Sequence, residues 1–299
     1  METSPEYLDR LIQFLKRDGF QFVSLHQVCD YLKNAERPDK FIAVTFDDGY
    51  ADNFLHAWPI LQRHEVPFTI YVTTQFPDGD AILWWYLLED VIHKEKRVDW
   101  DFQGASFRLD CSDRWSKEEA FHQLRNFFSL LDGEQLEKAL HDFFGKRRID
   151  LHEKTKELAL SWNQITEMNR DPLVDIGAHT VSHPALSQLN ERNAISEIMQ
   201  SKERIESHTG EIVRHFSYPF GTVREAGPRE FKLAADCGFD SSTTTRFGNI
   251  FPEHRDHIQN LPRIPINPKR DGENPESLRL WVHGTLPCLI NQFRRLPAE

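Results

Sequence analysis

The chain has 299 residues, of which 39% are hydrophobic and 12% aromatic, so it is long and apolar enough to bury a substantial core. Its formal net charge is −11. The acidic balance argues against a protein that binds nucleic acid without sequence preference, because such proteins need a basic face to displace the counterions of the phosphates. No apolar run reaches the roughly 20 residues that a membrane-spanning helix requires.

The first residues and the cysteines predict a cytoplasmic protein. The segment METSPEYLDRLIQFLKRDGF lacks a basic stretch followed by an apolar core, so it does not resemble a secretory signal. The four cysteines are scattered without CxxC spacing, which favours free thiols over two disulfides: Cys29, Cys111, Cys237 and Cys288. A periplasmic or secreted chain from which a signal has been removed would have the same features.

The first part of the chain alternates helices and strands. A helix is predicted from Pro5, after the N-cap Ser4, to Gly19, because its leucine and isoleucine residues recur at helical spacing. The segments FQFVSL, FIAVTF and PFTIYVTT are predicted strands, and a helix through Ile60 joins the second strand to the third. The near-continuous apolar run FIAVTF is typical of a strand that is covered on both faces. Strand, helix and strand at this spacing form a βαβ unit.

Residues from about 78 to 160 interrupt this alternation. They contain WWYLLEDVIHKEKR and two amphipathic segments, all with helical periods and without intervening strands. We therefore predict one domain over residues 1–299 with a mostly helical insertion. The pair Trp84 and Trp85 is interpreted as part of the core of this insertion, in preference to a platform for a sugar ring.

The alternation resumes with SWNQITEMNRD, in which Ser161 and Gln164 have the spacing of a capping box. Strands are predicted at LVDIGAH, RHFSYPF, FDSSTTT and LPRIPI, and the helix between the first two ends at Gly210. Six or seven strands that alternate with helices favour an α/β fold of the (β/α) barrel type over an open sheet.

Two polar clusters follow predicted strands at the point where each strand ends. The predicted strand FIAVTF is followed directly by Asp47, Asp48 and Gly49. The strand residues LVDI are followed by GAHTVSH, which contains His179 and His183. Catalytic groups of such barrels gather at these carboxyl ends. The two histidines are four residues apart, so both can reach one ion if the segment turns helically. An aspartate and two histidines are typical ligands of a catalytic site for zinc or a similar divalent metal.

The adjacent aspartates then have different functions. One carboxylate binds the ion and the other acts as a general base toward water, which is the chemistry of metal-assisted hydrolysis. Successive side chains of a strand point in different directions, so the pair needs a turn, which Gly49 permits. Alone, an Asp-Asp-Gly sequence is more often a turn, and an HxxxH sequence is more often a pair of surface or core histidines. Their occurrence together at strand ends favours a metallohydrolase.

Three segments resemble the motifs of the polysaccharide deacetylase family, also called the NodB-homology or carbohydrate esterase family 4 domain. They are TFDDG, HTVSH some 130 positions later and FSYPFG, in this order and each after a predicted strand. The resemblance covers nearly the whole chain from about Phe20. It implies a distorted (β/α)7 barrel and metal-dependent hydrolysis of the N-acetyl group of an amino sugar. By position it implies Asp47 as the catalytic base and Asp48, His179 and His183 as the metal ligands.

Further residues of the site follow from the third and last motifs of the family. The resemblance implies a backbone contribution of Tyr218 to an oxyanion hole. The third motif usually begins with an arginine that braces the base, but Ser217 occupies this position. Arg263 in LPRIPI is therefore hypothesised to supply the guanidinium from another strand. The last motif has a histidine as general acid, for which His283 in LWVHG is the nearest candidate and His257 the next.

The predicted function is that of a metal-dependent carbohydrate N-deacetylase, with Zn²⁺ as the expected metal and Co²⁺, Ni²⁺ or Fe²⁺ as alternatives. The expected substrate is an N-acetylated oligosaccharide or polysaccharide, or a lipid- or nucleotide-linked sugar if the enzyme is cytoplasmic. Two alternatives stay open: a hydrolase of another small amide, such as an N-formyl group or a ureide, and an inactive carbohydrate-binding barrel. Neither a nucleic-acid partner nor a membrane span is expected.

Overall fold

The computed structural model describes residues 3–34, 37–131, 133–268, 272 and 274–295. The chain separates into two compact units, of which the first is formed by Met1–Asp78 and Leu160–Glu299 and the second by Gly79–Ala159. The second unit occupies the range in which the sequence predicts an insertion.

The strands of the described residues are β1 (Gln21–Phe22), β2 (Phe41–Ile42), β3 (Val44–Phe46), β4 (Phe68–Val72), β5 (Arg97–Phe102), β6 (Ala105–Asp110), β7 (Val174–Ala178), β8 (His215–Ser217), β9 (Ser241–Phe247) and β10 (Leu261–Arg263). Six of them form a parallel sheet in the order β10-β9-β8-β7-β4-β3, and β1 pairs with β2 in parallel. The six-stranded sheet curls into a half barrel. The predicted α/β fold of the barrel type is confirmed.

The α-helices of the described residues are α1 (Pro5–Arg17), α2 (Leu25–Lys33), α3 (Trp58–Arg63), α4 (Gln75–Asp78), α5 (Trp84–Lys94), α6 (Arg114–Leu130), α7 (Gly133–Gly145), α8 (Glu153–Leu158), α9 (Trp162–Met168), α10 (Glu191–Thr209) and α11 (Pro228–Asp236), followed by two short helices over Arg279–Val282 and Thr285–Ile290. The predicted caps are confirmed. Ser4 accepts a hydrogen bond from the Tyr7 N–H, Ser161 and Gln164 form a capping box, and Gly210 ends α10 with a φ of 75°. Among the described helices, none combines the length and apolar character needed to cross a membrane.

The core of the first unit lies around β4, whose five residues are all buried. Gly177 in β7 permits close packing against this strand, because a Cβ at this position would lie 2.4 Å from Cδ1 of Tyr71. The expectation for FIAVTF is corrected: the segment breaks at Ala43 into β2 and β3, and its residues are half-buried. The reason is that β3 is an edge strand of the six-stranded sheet, so it has a sheet neighbour on one side only.

The second unit combines α5 to α8 with an antiparallel hairpin of β5 and β6. The sequence analysis predicts helical periods alone here, so the hairpin is a correction. Its signal was present: exposed residues alternate with buried ones along β5 and with half-buried ones along β6, and Gln103 and Gly104 turn the chain with φ of 46° and 88°. Trp100 of the hairpin packs in the core of this unit. Trp84 packs there too, with its ring centroid 5.4 Å from that of Phe128.

Candidate active site

The candidate site begins where β3 ends, at the adjacent aspartates. Asp48 and Gly49 both have a left-handed backbone, with φ of 72° and 91°. The carbonyl of Asp48 accepts a hydrogen bond from the Thr73 N–H (3.1 Å), and that of Gly49 accepts one from the Leu160 N–H (2.9 Å). Such strained conformations persist where the surrounding structure holds them, as these hydrogen bonds do here. The turn lets the carboxylates of Asp47 and Asp48 face different partners.

The structure brings Asp48, His179 and His183 together. Nε2 of each histidine lies 3.4 Å from the same oxygen, Oδ1 of Asp48, and the three ligand atoms all lie within 4.8 Å of one another. Two ligands bound to one zinc ion at about 2.1 Å with a tetrahedral angle are roughly 3.4 Å apart. The three residues therefore form a candidate metal site.

The ring nitrogens of His179 have the arrangement that a metal ligand needs. Its side chain is buried, and Nδ1 lies 2.7 Å from the carbonyl oxygen of Ser217. A carbonyl oxygen only accepts hydrogen bonds, so Nδ1 carries a proton, and in the neutral imidazole Nε2 presents its lone pair toward Asp48. This second bond also fixes the orientation of the imidazole. The donor set thus fits a divalent ion without rearrangement of the ring.

The charges of the site favour a cation between the two histidines. Burial lowers the pKa of His183 to about 4, and the charge of His179 acts in the same direction, so His183 is a neutral donor at neutral pH. Burial alone would also lower the pKa of His179, but the hydrogen bond to Asp48 and the charges of Asp47 and Asp48 outweigh it and raise this pKa. The two carboxylates therefore attract positive charge to this point.

The segment between the two histidines is not helical, so they meet without the helical turn on which the sequence analysis makes their convergence depend. Thr180 and His183 have left-handed φ values of 65° and 59°. Glu197 in α10 holds the loop, since its carboxylate accepts hydrogen bonds from the N–H groups of Val181 and Ser182, both at 2.9 Å. Sequence reasoning missed Glu197, because one acidic residue on an amphipathic helix carries no motif.

Asp47 is held by Arg263 from the far edge of the sheet. Nη1 and Nη2 of Arg263 donate to the two carboxylate oxygens at 2.7 and 2.8 Å, and Nη2 also lies 3.2 Å from Oγ of Ser217. Burial alone would raise the pKa of Asp47, but the charges of Arg263 and His179 and the hydrogen bonds of Arg263 and Ser217 hold it well below its usual range. Asp47 is therefore ionised at neutral pH. β3 and β10 are the two edges of the six-stranded sheet, so the contact exists because the sheet curls.

Tyr218 does not have the geometry expected of a backbone donor. Its N–H donates to the carbonyl of Thr243 (3.2 Å), its hydroxyl donates to the carbonyl of Gln259 (3.0 Å), and the side chain is buried. The prediction is corrected, because the pairing of this segment with β9 continues through Tyr218. Among the described residues, the N–H of Phe220 has no hydrogen-bond partner. The ring of Phe220 packs on that of His183, with centroids 4.9 Å apart.

The predicted general acid is not brought to this site. Nε2 of His283 is hydrogen-bonded to Asp18, and its ring packs edge-on against Phe20, two residues that precede β1. His257 precedes β10 and so lies at the amino end of that strand. The candidate site lies after the carboxyl ends of β3 and β7. Because His283 contacts Asp18 and Phe20, its position gives no support to the prediction that it is the general acid.

The sequence model of the polysaccharide deacetylase family matches residues 34–241, which include all three motifs. The chain belongs to the polysaccharide deacetylase family. A relative that is named as a polysaccharide deacetylase, YxkH of Bacillus subtilis, is 31% identical to this chain over 62 residues. These residues are 20% of this chain and 22% of YxkH. The match to this relative thus spans less than a quarter of its length.

Solved structures of deacetylases share the fold of this chain. The deacetylase PplD of Streptococcus pyogenes, solved in complex with acetate, has a TM-score of 0.60 and 20% identity over 93% of this chain and 86% of that chain. IcaB from Ammonifex degensii has a TM-score of 0.56 and 17% identity over 95% and 93%. The BpsB deacetylase domain from Bordetella bronchiseptica has a TM-score of 0.53 and 18% identity over 85% and 81%. At these identities the likeness concerns the fold alone.

Proposed function

We propose that this chain is a metal-dependent carbohydrate N-deacetylase, which hydrolyses the N-acetyl group of an amino sugar in a polysaccharide or a glycan precursor. The observation that carries the proposal is the convergence of Asp48, His179 and His183 beside an ionised Asp47. Membership of the deacetylase family supports a hydrolytic reaction on acetylated carbohydrate. The convergence adds the residues that such a reaction needs.

We assign the metal to Asp48, His179 and His183. This set of nitrogen and oxygen donors suits Zn²⁺ best, with Co²⁺, Ni²⁺ and Fe²⁺ as alternatives. When bound, such an ion supplies Lewis-acid chemistry, by which a carbonyl is polarised and water becomes more acidic. Ser217 supports the site from behind, since its carbonyl orients His179.

Asp47 acts as the general base of the proposed reaction. Its carboxylate accepts a proton from the attacking water, whose oxygen forms a bond to the acetyl carbon. The bond between this carbon and the sugar nitrogen then breaks, and acetate and a free amine are released. Because His283 lies against Asp18 and Phe20, we assign the transfer of the proton to the leaving nitrogen to Asp47 as well. Arg263 positions the carboxylate and keeps it ionised until the proton arrives.

The backbone of Phe220 is the proposed donor to the negative charge that develops on the acetyl oxygen. Its N–H has no hydrogen-bond partner among the described residues, and its ring packs on the metal-ligand candidate His183. A donor aimed at developing charge stabilises the transition state more than the ground state. Phe220 thus takes the function that the sequence analysis predicts for Tyr218.

The test is the metal content of the purified protein by mass spectrometry together with acetate release from a panel of N-acetylated oligosaccharides, with and without a chelator. Bound metal with chelator-sensitive acetate release is the expected result. Bound metal without acetate from any sugar would favour another small amide as substrate or an inactive barrel. A protein that holds no metal after reconstitution would refute the proposal.

A further inference from the structure

A second cluster of two histidines and an aspartate lies at the amino ends of the strands. Asp175 is the second residue of β7, His215 is the first residue of β8, and His26 is in the first turn of α2. The candidate active site follows the carboxyl end of β7, where His179 lies. The second cluster is therefore at the opposite end of the same strand and takes no part in the proposed hydrolysis.

The donor atoms of this cluster surround one point. Nε2 of His215 lies 3.1 Å from Nδ1 of His26 and 3.8 Å from Oδ2 of Asp175, and the ligand atoms of the three residues lie within 4.8 Å of one another. These separations bracket the roughly 3.4 Å between two ligands of one tetrahedral zinc ion. We propose that His26, Asp175 and His215 bind a second divalent transition-metal ion, such as Zn²⁺.

The position of Asp175 favours an ion over hydrogen bonds from the two histidines to its carboxylate. The 3.8 Å separations from Asp175 to both histidines exceed the length of a hydrogen bond. The Thr69 hydroxyl donates to this carboxylate at 3.2 Å, and in the described part of the chain no lysine or arginine nitrogen lies within 4.0 Å of it. The charge of Arg214 acts on this largely buried carboxylate only from beyond 4.0 Å, and a buried carboxylate without a close positive partner is unfavourable. A divalent ion would supply the missing charge.

The buried histidine is oriented for this function and the exposed one gives access. His215 is fully buried, and its Nδ1 lies 2.8 Å from Oγ of Ser241. When Nδ1–H donates to this hydroxyl, the lone pair of Nε2 points into the cluster, which is the tautomer of a metal ligand. His26 keeps 46% of its side chain exposed, so an ion can reach the cluster from solvent. His26 and His215 are 189 positions apart, so the ion would tie α2 to the sheet.

The test counts the zinc ions that the metal-free full chain retains after reconstitution and dialysis. We expect two equivalents in the wild type and one in His26→Ala, with acetate release retained, because this residue lies away from the catalytic groups. Asp175→Asn preserves side-chain volume and should also hold one equivalent. His183→Ala should hold one equivalent and release no acetate. The matched control is His93→Ala, an exposed histidine 3.7 Å from a carboxylate, which should keep two.

Thermal unfolding adds a second readout, because an ion that binds only the folded state raises the Tm. Zinc should raise the Tm of His183→Ala but not that of the double variant His26→Ala/His183→Ala. The same zinc content in wild type, His26→Ala and Asp175→Asn would overturn the second site. One equivalent in the wild type that is lost in His26→Ala and kept in His183→Ala would support the second site and refute the metal at the candidate active site. The two proposals therefore fail separately.

Discussion

Arg263→Gln removes the positive charge that faces Asp47 and leaves the carboxylate in its half-buried position. Two hydrogen bonds of 2.7 and 2.8 Å are lost, together with the charge that offsets the burial of Asp47. Removal of one partner from a buried ion pair costs about 3–5 kcal/mol. Asp47 keeps 30% of its side chain exposed, so we expect about 3 kcal/mol at neutral pH, the lower end of this range.

The sign of the pH dependence follows from the direction of the pKa shift. The pKa of Asp47 is lower in the folded than in the unfolded state, so the pair stabilises the protein above the unfolded value of about 4. This stabilisation is lost as the pH falls through the folded pKa. The difference in unfolding free energy between wild type and Arg263→Gln should therefore be greatest at neutral pH and shrink below pH about 4.

The same substitution should change catalysis through the pKa of Asp47. Without the guanidinium, only the charge of His179 and the hydrogen bond of Ser217 oppose the effect of burial, and the loss of an opposite charge raises the pKa of Asp47 by about 1–3. The acid limb of the kcat/KM profile should move to higher pH by at least about 1 unit. At neutral pH Asp47 stays ionised in the variant, so the expected fall in kcat/KM, about 100-fold, comes from the loss of its positioning by Arg263.

Urea unfolding and the pH profile of acetate release measure these two effects. Arg263→Lys keeps the charge but not the two-point contact, so it should lie between wild type and Arg263→Gln in both assays. Arg214→Gln breaks an exposed pair with Asp240 (3.4 Å) and serves as the control, with an expected loss below about 1 kcal/mol and an unchanged acid limb. If Arg263→Gln unfolds at the wild-type urea concentration and keeps the wild-type acid limb, the proposed function of Arg263 is wrong.

Three further changes test the site and the core. Asp47→Asn should abolish acetate release and leave the metal content unchanged, since it removes the base but no ligand; a fully active variant would exclude the assignment of the base. His179→Ala should lose acetate release together with one equivalent of metal, and an active variant with full metal content would contradict its place among the ligands. Gly177→Ala should destabilise the protein by about 1–3 kcal/mol in urea unfolding, because the new Cβ would lie 2.4 Å from the Tyr71 ring. The control is Gly145→Ala, whose new Cβ meets nothing within 4 Å, so this variant should change the stability by less than about 1 kcal/mol.

The local elements of this protein could be predicted because their signals lie within a few residues of one another. Ser4 and Ser161 cap helices through N–H groups three residues away, and Gly210 ends α10 by its own backbone freedom. The hairpin of β5 and β6 was missed although its alternation and its turn are present in the sequence. Its two six-residue strands lie between segments with strong helical periods. The position of the polar clusters after strands was likewise a local pattern.

The candidate metal ligands were also predicted from sequence, since Asp48, His179 and His183 each follow a strand. Parallel strands place their carboxyl ends at one edge, so residues far apart in the chain meet there. Sequence could not show how the histidine loop is built, because its left-handed residues and its contact with Glu197 depend on where α10 packs. The two histidines therefore meet without the helical turn under which their spacing was expected to bring them to one ion.

By itself, the sequence determined the α/β class, the strand ends and the residue types that meet there, because these depend on periodicity and short-range hydrogen bonding. The tertiary structure alone decided which predicted residues share a site. It joins Arg263 to Asp47 across 216 positions, uses the N–H of Tyr218 in strand pairing, holds His283 against Asp18, and gathers His26, with Asp175 and His215, at the other end of the sheet. Each of these contacts joins residues far apart in the sequence or depends on strand pairing, so it arises only from the packing of the whole chain.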